Sequence, residues 1–135
     1  MYALCKQPFA LDAIKEKIQK YVEPFAGKIT QWSNSENEFN ANGTFQFTLD
    51  SDVSWMHTDN DVTDWAGVLY LTPDAPVSGG TGLFRFQDGT RFALESEDLT
   101  LHNQNAGNME AWEQVDNIGN VFNRLILFNA QHWHR

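Results

Sequence analysis

Cysteine occurs once in this chain, at Cys5, so no disulfide can form within it, and the position offers neither a metal-ligand spacing nor a nucleophile triad. Basic residues are scarce: nine Lys and Arg stand against eighteen Asp and Glu, a formal charge of −9. Little basic surface is left to drive counterion release from a nucleic-acid backbone, which argues against nucleic acid as a partner. No apolar run approaches the roughly 18 residues that span a bilayer. Met1 to Ala10 lacks the charged start, apolar core and cleavage site of a secretory signal. These absences predict a soluble, cytoplasmic protein that does not use a membrane. Sequence repeats of the solenoid or propeller kind are also missing.

Aromatic residues, by contrast, are plentiful. Ten Phe and five Trp in 135 residues supply a core for one domain, expected to span 1–135. From Leu11 to Phe25 the apolar residues Leu11, Ile14, Ile18, Tyr21, Val22 and Phe25 recur at helical spacing, with Lys15, Glu16, Lys17 and Lys20 opposite. This predicts an amphipathic helix over about 11–25 that packs on a sheet, ended by Pro24 and Gly27. Ser33 to Asn42 reads as a loop.

From about residue 43 onward the pattern changes to short β-like runs: Thr44 to Leu49, Ser54 to Thr58, Ala66 to Leu71, Thr81 to Phe86, Arg91 to Leu94, Ala111 to Val115 and Asn123 to Phe128. Turn residues separate them at Pro73-Asp74-Ala75-Pro76, Ser78-Gly79-Gly80 and Asp88-Gly89-Thr90, the last a hairpin connector. Glu95 to Glu110 is polar and reads as a long loop, with His102 solvated within it.

Two short strings carry chemistry. In Trp55-Met56-His57-Thr58-Asp59, an extended backbone turns His57 and Asp59 to one face, so that both can reach a single ion. Far along the chain, His132 and His134 likewise share a face and offer a third ligand. Two imidazoles and one carboxylate form the facial set that leaves coordination positions open on a divalent metal.

The order of these strings carries a family resemblance from about Phe45 to Arg135. The HxD is followed by Gly67-Val68-Leu69-Tyr70-Leu71-Thr72-Pro73, by Gly79-Gly80-Thr81-Gly82-Leu83-Phe84, and by Asn123-Arg124-Leu125-Ile126-Leu127-Phe128 with a His after it. This resembles the iron(II)- and 2-oxoglutarate-dependent oxygenases, in particular their small prolyl-hydroxylase-like branch. The resemblance implies a mostly β fold, a double-stranded β-helix or jelly-roll over about 43–135 behind the N-terminal helix, with Fe(II) at one end of the barrel. It also implies a dioxygenase that consumes 2-oxoglutarate and hydroxylates a small molecule or a peptide side chain. In that family the distal ligand sits six positions after the end of the "NRL-x-LF" strand, which from Phe128 falls on His134 and makes the ligand set His57, Asp59 and His134. The glycine pair implies a sharp turn near the iron.

The 2-oxoglutarate site departs from the family pattern. Most members bind the distal carboxylate with an Arg or Lys on the strand after the distal His, whereas here Arg135 is the last residue of the sequence. A buried carboxylate needs a cationic partner. Arg85 on the "GGTGLF" strand is one candidate, with a hydrogen bond from Tyr70. The other reading is a chain that lacks the final strand, inactive or truncated, whose exposed sheet edge pairs with a second copy. A cupin-like metalloenzyme that does not use 2-oxoglutarate is a third.

Overall fold

The computed structural model describes residues 3–5, 11–32, 45–49, 51–60, 63–94 and 99–135. Two compact units divide the chain, Met1–Asp52 and Val53–Arg135. In the first, strand β1 (Ala3–Cys5) pairs antiparallel with β2 (Phe45–Phe47), setting Cys5 opposite Phe45. β1 has no counterpart among the strands expected from the sequence, because three residues are too few to establish an alternation. The loop expected at Ser33 to Asn42 lies outside the described residues.

Helix α1 (Leu11–Ala26) forms where the periodicity placed it. Pro24 does not end it but lies inside its last turn. There the missing N–H removes only the bond to the carbonyl of Lys20, and termination passes to Gly27, whose φ of 85° is the left-handed conformation that closes helices. The Gly27 N–H still reaches the Glu23 carbonyl at 3.1 Å. Ile18 and Val22 are half-buried, whereas Tyr21 and Phe25, expected on the same apolar face, are exposed.

The second unit is built from antiparallel pairs. β3 (Trp65–Leu69) pairs with β6 (Leu125–Asn129), and β4 (Thr81–Phe86) with β5 (Trp112–Ile118). Between Leu83 and Phe84 the second pairing shifts register, which leaves Val115 of β5 over as a bulge. The expected runs at Ser54 to Thr58 and Arg91 to Leu94 form single bridges rather than full strands, His57 with His134 and Phe92 with His132. Asp88-Gly89-Thr90 makes the expected turn: Gly89 takes a φ of 97°, and the Phe86 N–H bonds the Thr90 carbonyl at 2.8 Å.

The last five residues join these pieces. His134 exchanges both backbone hydrogen bonds with His57, at 3.0 and 3.1 Å, while Arg135 exchanges both with Gly82, at 3.1 and 3.0 Å. Trp133 accepts from the Phe84 N–H at 2.9 Å and donates to the Arg91 carbonyl at 3.0 Å. The extended segment 131–135 thus lies between the HxD stretch on one side and β4 on the other.

Alternation then sorts the side chains into two layers. Met56, Phe84 and Trp133 point one way, into a cluster with Phe86, Ala93, Ala111 and Trp112. His57, Leu83 and His134, bridged partners of one another, point the other way. A second cluster of Tyr70, Ile126 and Phe128 includes the ring that packs edge-on against His134, with centroids 4.7 Å apart. No helix among the described residues is long and apolar enough to cross a membrane.

The first cluster is closed by a segment expected as loop. Within Glu95 to Glu110 a short helix, α2 (Thr100–Gln104), precedes a 3-10 turn at Met109–Ala111. The Ala106 carbonyl accepts from the Met56 N–H at 2.9 Å, which anchors this segment to the strand carrying His57.

Of the glycine pair, Gly80 meets a steric limit and Gly79 does not. A Cβ on Gly80 would stand 2.0 Å from the Ile118 carbonyl oxygen and 2.7 Å from the Asn120 nitrogen, whereas one on Gly79 meets nothing within 4 Å. Both obstacles are backbone, which yields only if the chain moves. Gly80→Ala is therefore expected to destabilise the fold by at least the ~1–3 kcal/mol of an overpacked core, and Gly79→Ala to change it little. Urea denaturation of the two variants checks this, and equal midpoints would contradict it.

Candidate metal centre

Three side chains converge on the face opposite the larger aromatic cluster. His57, Asp59 and His134 each offer a ligand atom, and these atoms all lie within 4.8 Å of one another. His57 and Asp59 share a face because they are two apart on an extended stretch, and the Asp59 N–H fixes that stretch by bonding the Ala130 carbonyl at 2.9 Å. His134 is brought opposite His57 by the bridge between them, with ring centroids 4.3 Å apart. Sequence-distant ligands thus meet through a single cross-strand pair.

Both imidazoles are held by backbone carbonyls. Nδ1 of His57 lies 3.0 Å from the Trp55 oxygen, and Nδ1 of His134 lies 2.8 Å from the His132 oxygen. A carbonyl can only accept, so each Nδ1 carries a proton, and in the neutral form of either ring the lone pair lies on Nε2. This is the outer-shell arrangement that fixes tautomer and ring orientation in metal-ligating histidines. Nε2 of His134 stands 3.5 Å from Oδ2 of Asp59. With the neutral ring, two electron-pair donors face each other there, and either a proton or a cation must lie between them.

The electrostatics agree with the geometry. When Nε2 of His134 also carries a proton, the ring donates to Asp59 and holds that carboxyl below its ordinary range, and the charges of both imidazoles add to this while burial opposes it. Burial is the largest influence on His57 and pushes its imidazole below the ordinary 6.5, against the Trp55 carbonyl, which favours protonation. An ionised carboxylate and a neutral imidazole are the forms that bind a metal.

Other expected site residues have different partners. His132 packs edge-on against Phe92, with centroids 4.7 Å apart, and its carbonyl rather than its ring serves the centre by orienting His134. The Tyr70 hydroxyl is buried 2.7 Å from Thr81 Oγ1 and also reaches the Ile118 carbonyl at 3.5 Å. The guanidinium of Arg85 is paired with Glu113, its register partner on β5. His102 is not solvated: it is 6% exposed on α2, its ring 4.6 Å from Phe86 and stacked on Trp133 at 5.7 Å. Its Nε2 lies 3.2 Å from Oδ2 of Asp88. Imidazole is the only buried side chain of α2, and no apolar stripe marks that helix in the sequence.

Comparison with protein-family models found no matching family, and comparisons with curated proteins and with solved structures likewise found no match.

The signs of the two shifts fix a pH dependence for the metal-free protein. The unfolded chain takes up a proton at His57 before the folded one does, so stability begins to fall as pH drops through 6.5. It falls again towards the ordinary Asp value of 3.8, where the unfolded carboxylate protonates ahead of Asp59. Urea midpoints measured between neutral and acid pH after chelation are expected to decline in both windows. Asp59→Asn is expected to flatten the lower one, and an unchanged lower limb in that variant would contradict this assignment.

Proposed function

We propose that this chain is a non-haem iron oxygenase that binds Fe(II) through His57, Asp59 and His134 and uses 2-oxoglutarate to hydroxylate a small molecule or a peptide side chain. The observation that carries the reading is the pair of imidazoles locked by the Trp55 and His132 carbonyls, each leaving Nε2 free beside one carboxylate. Two nitrogens and one oxygen suit Fe(II), as well as Mn, Co, Ni and Zn, and leave the ion with a net positive charge. The three ligand atoms lie within 4.8 Å of one another, close enough for the side chains to converge on one ion. When bound, the ion supplies a Lewis-acidic site with open positions for O₂ and a chelating co-substrate.

The protein's own groups orient, shield and balance charge. The His57–His134 backbone pair keeps the ligands in register, the Phe128 ring covers one side of His134, and Asp59 neutralises part of the metal's charge. A jelly-roll follows in this reading if β3–β6 and the layer containing β4 form the two walls around the ligands. The Tyr70–Thr81 hydroxyl pair and Arg85 are the groups we assign to the 2-oxoglutarate carboxylate. Because Glu113 already engages Arg85, a metalloenzyme that works without 2-oxoglutarate is the second reading.

Anaerobic reconstitution with Fe(II), followed by titration with 2-oxoglutarate, separates the two. A weak visible charge-transfer band is expected, and it should be lost in His57→Ala and Asp59→Ala. Each of these substitutions should lower metal affinity by more than the roughly tenfold that loss of an outer-shell partner produces. Iron bound without the band favours the second reading, and no iron bound at all contradicts both.

A further inference from the structure

The carboxylate of the centre is held differently from its imidazoles. Each ring fixes itself by donating an N–H to a main-chain carbonyl, whereas an ionised carboxylate has no proton to give. Among the described residues only His134 comes within hydrogen-bond distance of the Asp59 oxygens, at 3.5 Å. The place of that carboxylate is therefore set by the main chain at Asp59. Two backbone bonds hold it there, from the Asp59 N–H to the Ala130 carbonyl at 2.9 Å and from the Thr63 N–H to the Asp59 carbonyl at 3.2 Å.

One side chain adds to them. Asn60, half-buried and next to Asp59, donates from Nδ2 to the Ala93 carbonyl at 3.2 Å. That carbonyl can only accept, so the carboxamide turns Oδ1 toward Thr58, whose hydroxyl donates at 2.7 Å. Thr58 and Asn60 flank Asp59, and their bond braces the stretch on both sides of it. Ala93 is a firm anchor: it is fully buried, its N–H bonds the Gln131 carbonyl at 2.8 Å, and Phe92 before it is bridged to His132. The Asn60 carboxamide thus ties the carboxylate's stretch to the segment that also holds the run leading to His134. Alanine at this position would make neither bond, and aspartate, of the same shape, would set an oxygen against the Ala93 carbonyl.

We propose that Asn60 is a positioning residue of the metal centre: its carboxamide, bonded to Thr58 and Ala93, sets the main chain of Asp59 and so the approach of the carboxylate to the ion. This rests on the reading of His57, Asp59 and His134 as metal ligands.

The test is Zn(II) affinity, measured by competition with a chromophoric chelator on variants that urea denaturation shows to be folded. Asn60→Ala is expected to weaken Zn(II) about tenfold, the loss that removal of a group orienting a ligand produces. Thr58→Val should weaken it in the same direction, and Thr58→Ser, which keeps the hydroxyl, should bind as the parent does. In an Asp59→Ala background Asn60→Ala should cost nothing further, because the residue acts through that carboxylate. Amide hydrogen exchange of the metal-free protein gives a second readout. In Asn60→Ala the Asp59 and Thr63 N–H groups should exchange about fivefold faster, the loss of one neutral hydrogen bond, with the Phe84 and Trp133 N–H groups unchanged. Parent-like Zn(II) affinity in Asn60→Ala, an equal loss in the Asp59→Ala background, or exchange that quickens alike at all four amides would overturn the proposal and leave the metal centre standing. A parent chain that takes up no Zn(II) would remove the metal centre and this role with it.

Discussion

The backbone pair between His57 and His134 is the constraint on which the second unit depends. Two hydrogen bonds, at 3.0 and 3.1 Å, join the HxD stretch to the end of the chain. That end is held in turn by Gly82 and Phe84 of β4. Removal of this pairing would separate the ligands and also uncover Trp133 and Met56, the core residues next to them in sequence and both 1% exposed. Core packing and the convergence of the three candidate ligands are therefore the same event seen from two sides of one bridged segment.

A division of labour follows from alternation. Odd and even positions of the terminal segment serve different ends: Trp133 fills the aromatic core, while His134 turns to the face that carries Asp59 and His57. A shift of one residue in register would exchange them, burying an imidazole in the core and exposing an indole. The aromatic cluster behind the site thus specifies register as well as stability. Arg135 adds to this by bonding the Ser54 hydroxyl through Nε at 2.6 Å, just ahead of the HxD stretch.

Much of this was legible in the residues. The alternation in Thr81 to Phe86 marks β4 at its observed bounds, and the helical spacing from Leu11 marks α1 to within a residue of its end. His57 and Asp59 follow from a spacing of two on an extended chain, and the selection of His134 follows from the resemblance. What the sequence hides is non-local or too short to be periodic. β1 has three residues, and α2 has five, of which the buried one is a histidine. The carbonyls that lock the two imidazoles belong to Trp55 and His132, and main-chain atoms leave no trace in residue identity.

The most direct test of the central claim is nitrogen-resolved NMR of the histidine side chains, recorded with and without one equivalent of Zn(II). Nε2 of both His57 and His134 is expected to move to the metal-bound range, with Nδ1 of each still protonated and His132 and His102 unmoved. Coordination through Nδ1, or through His132 in place of His134, would contradict the account, as would the absence of any change.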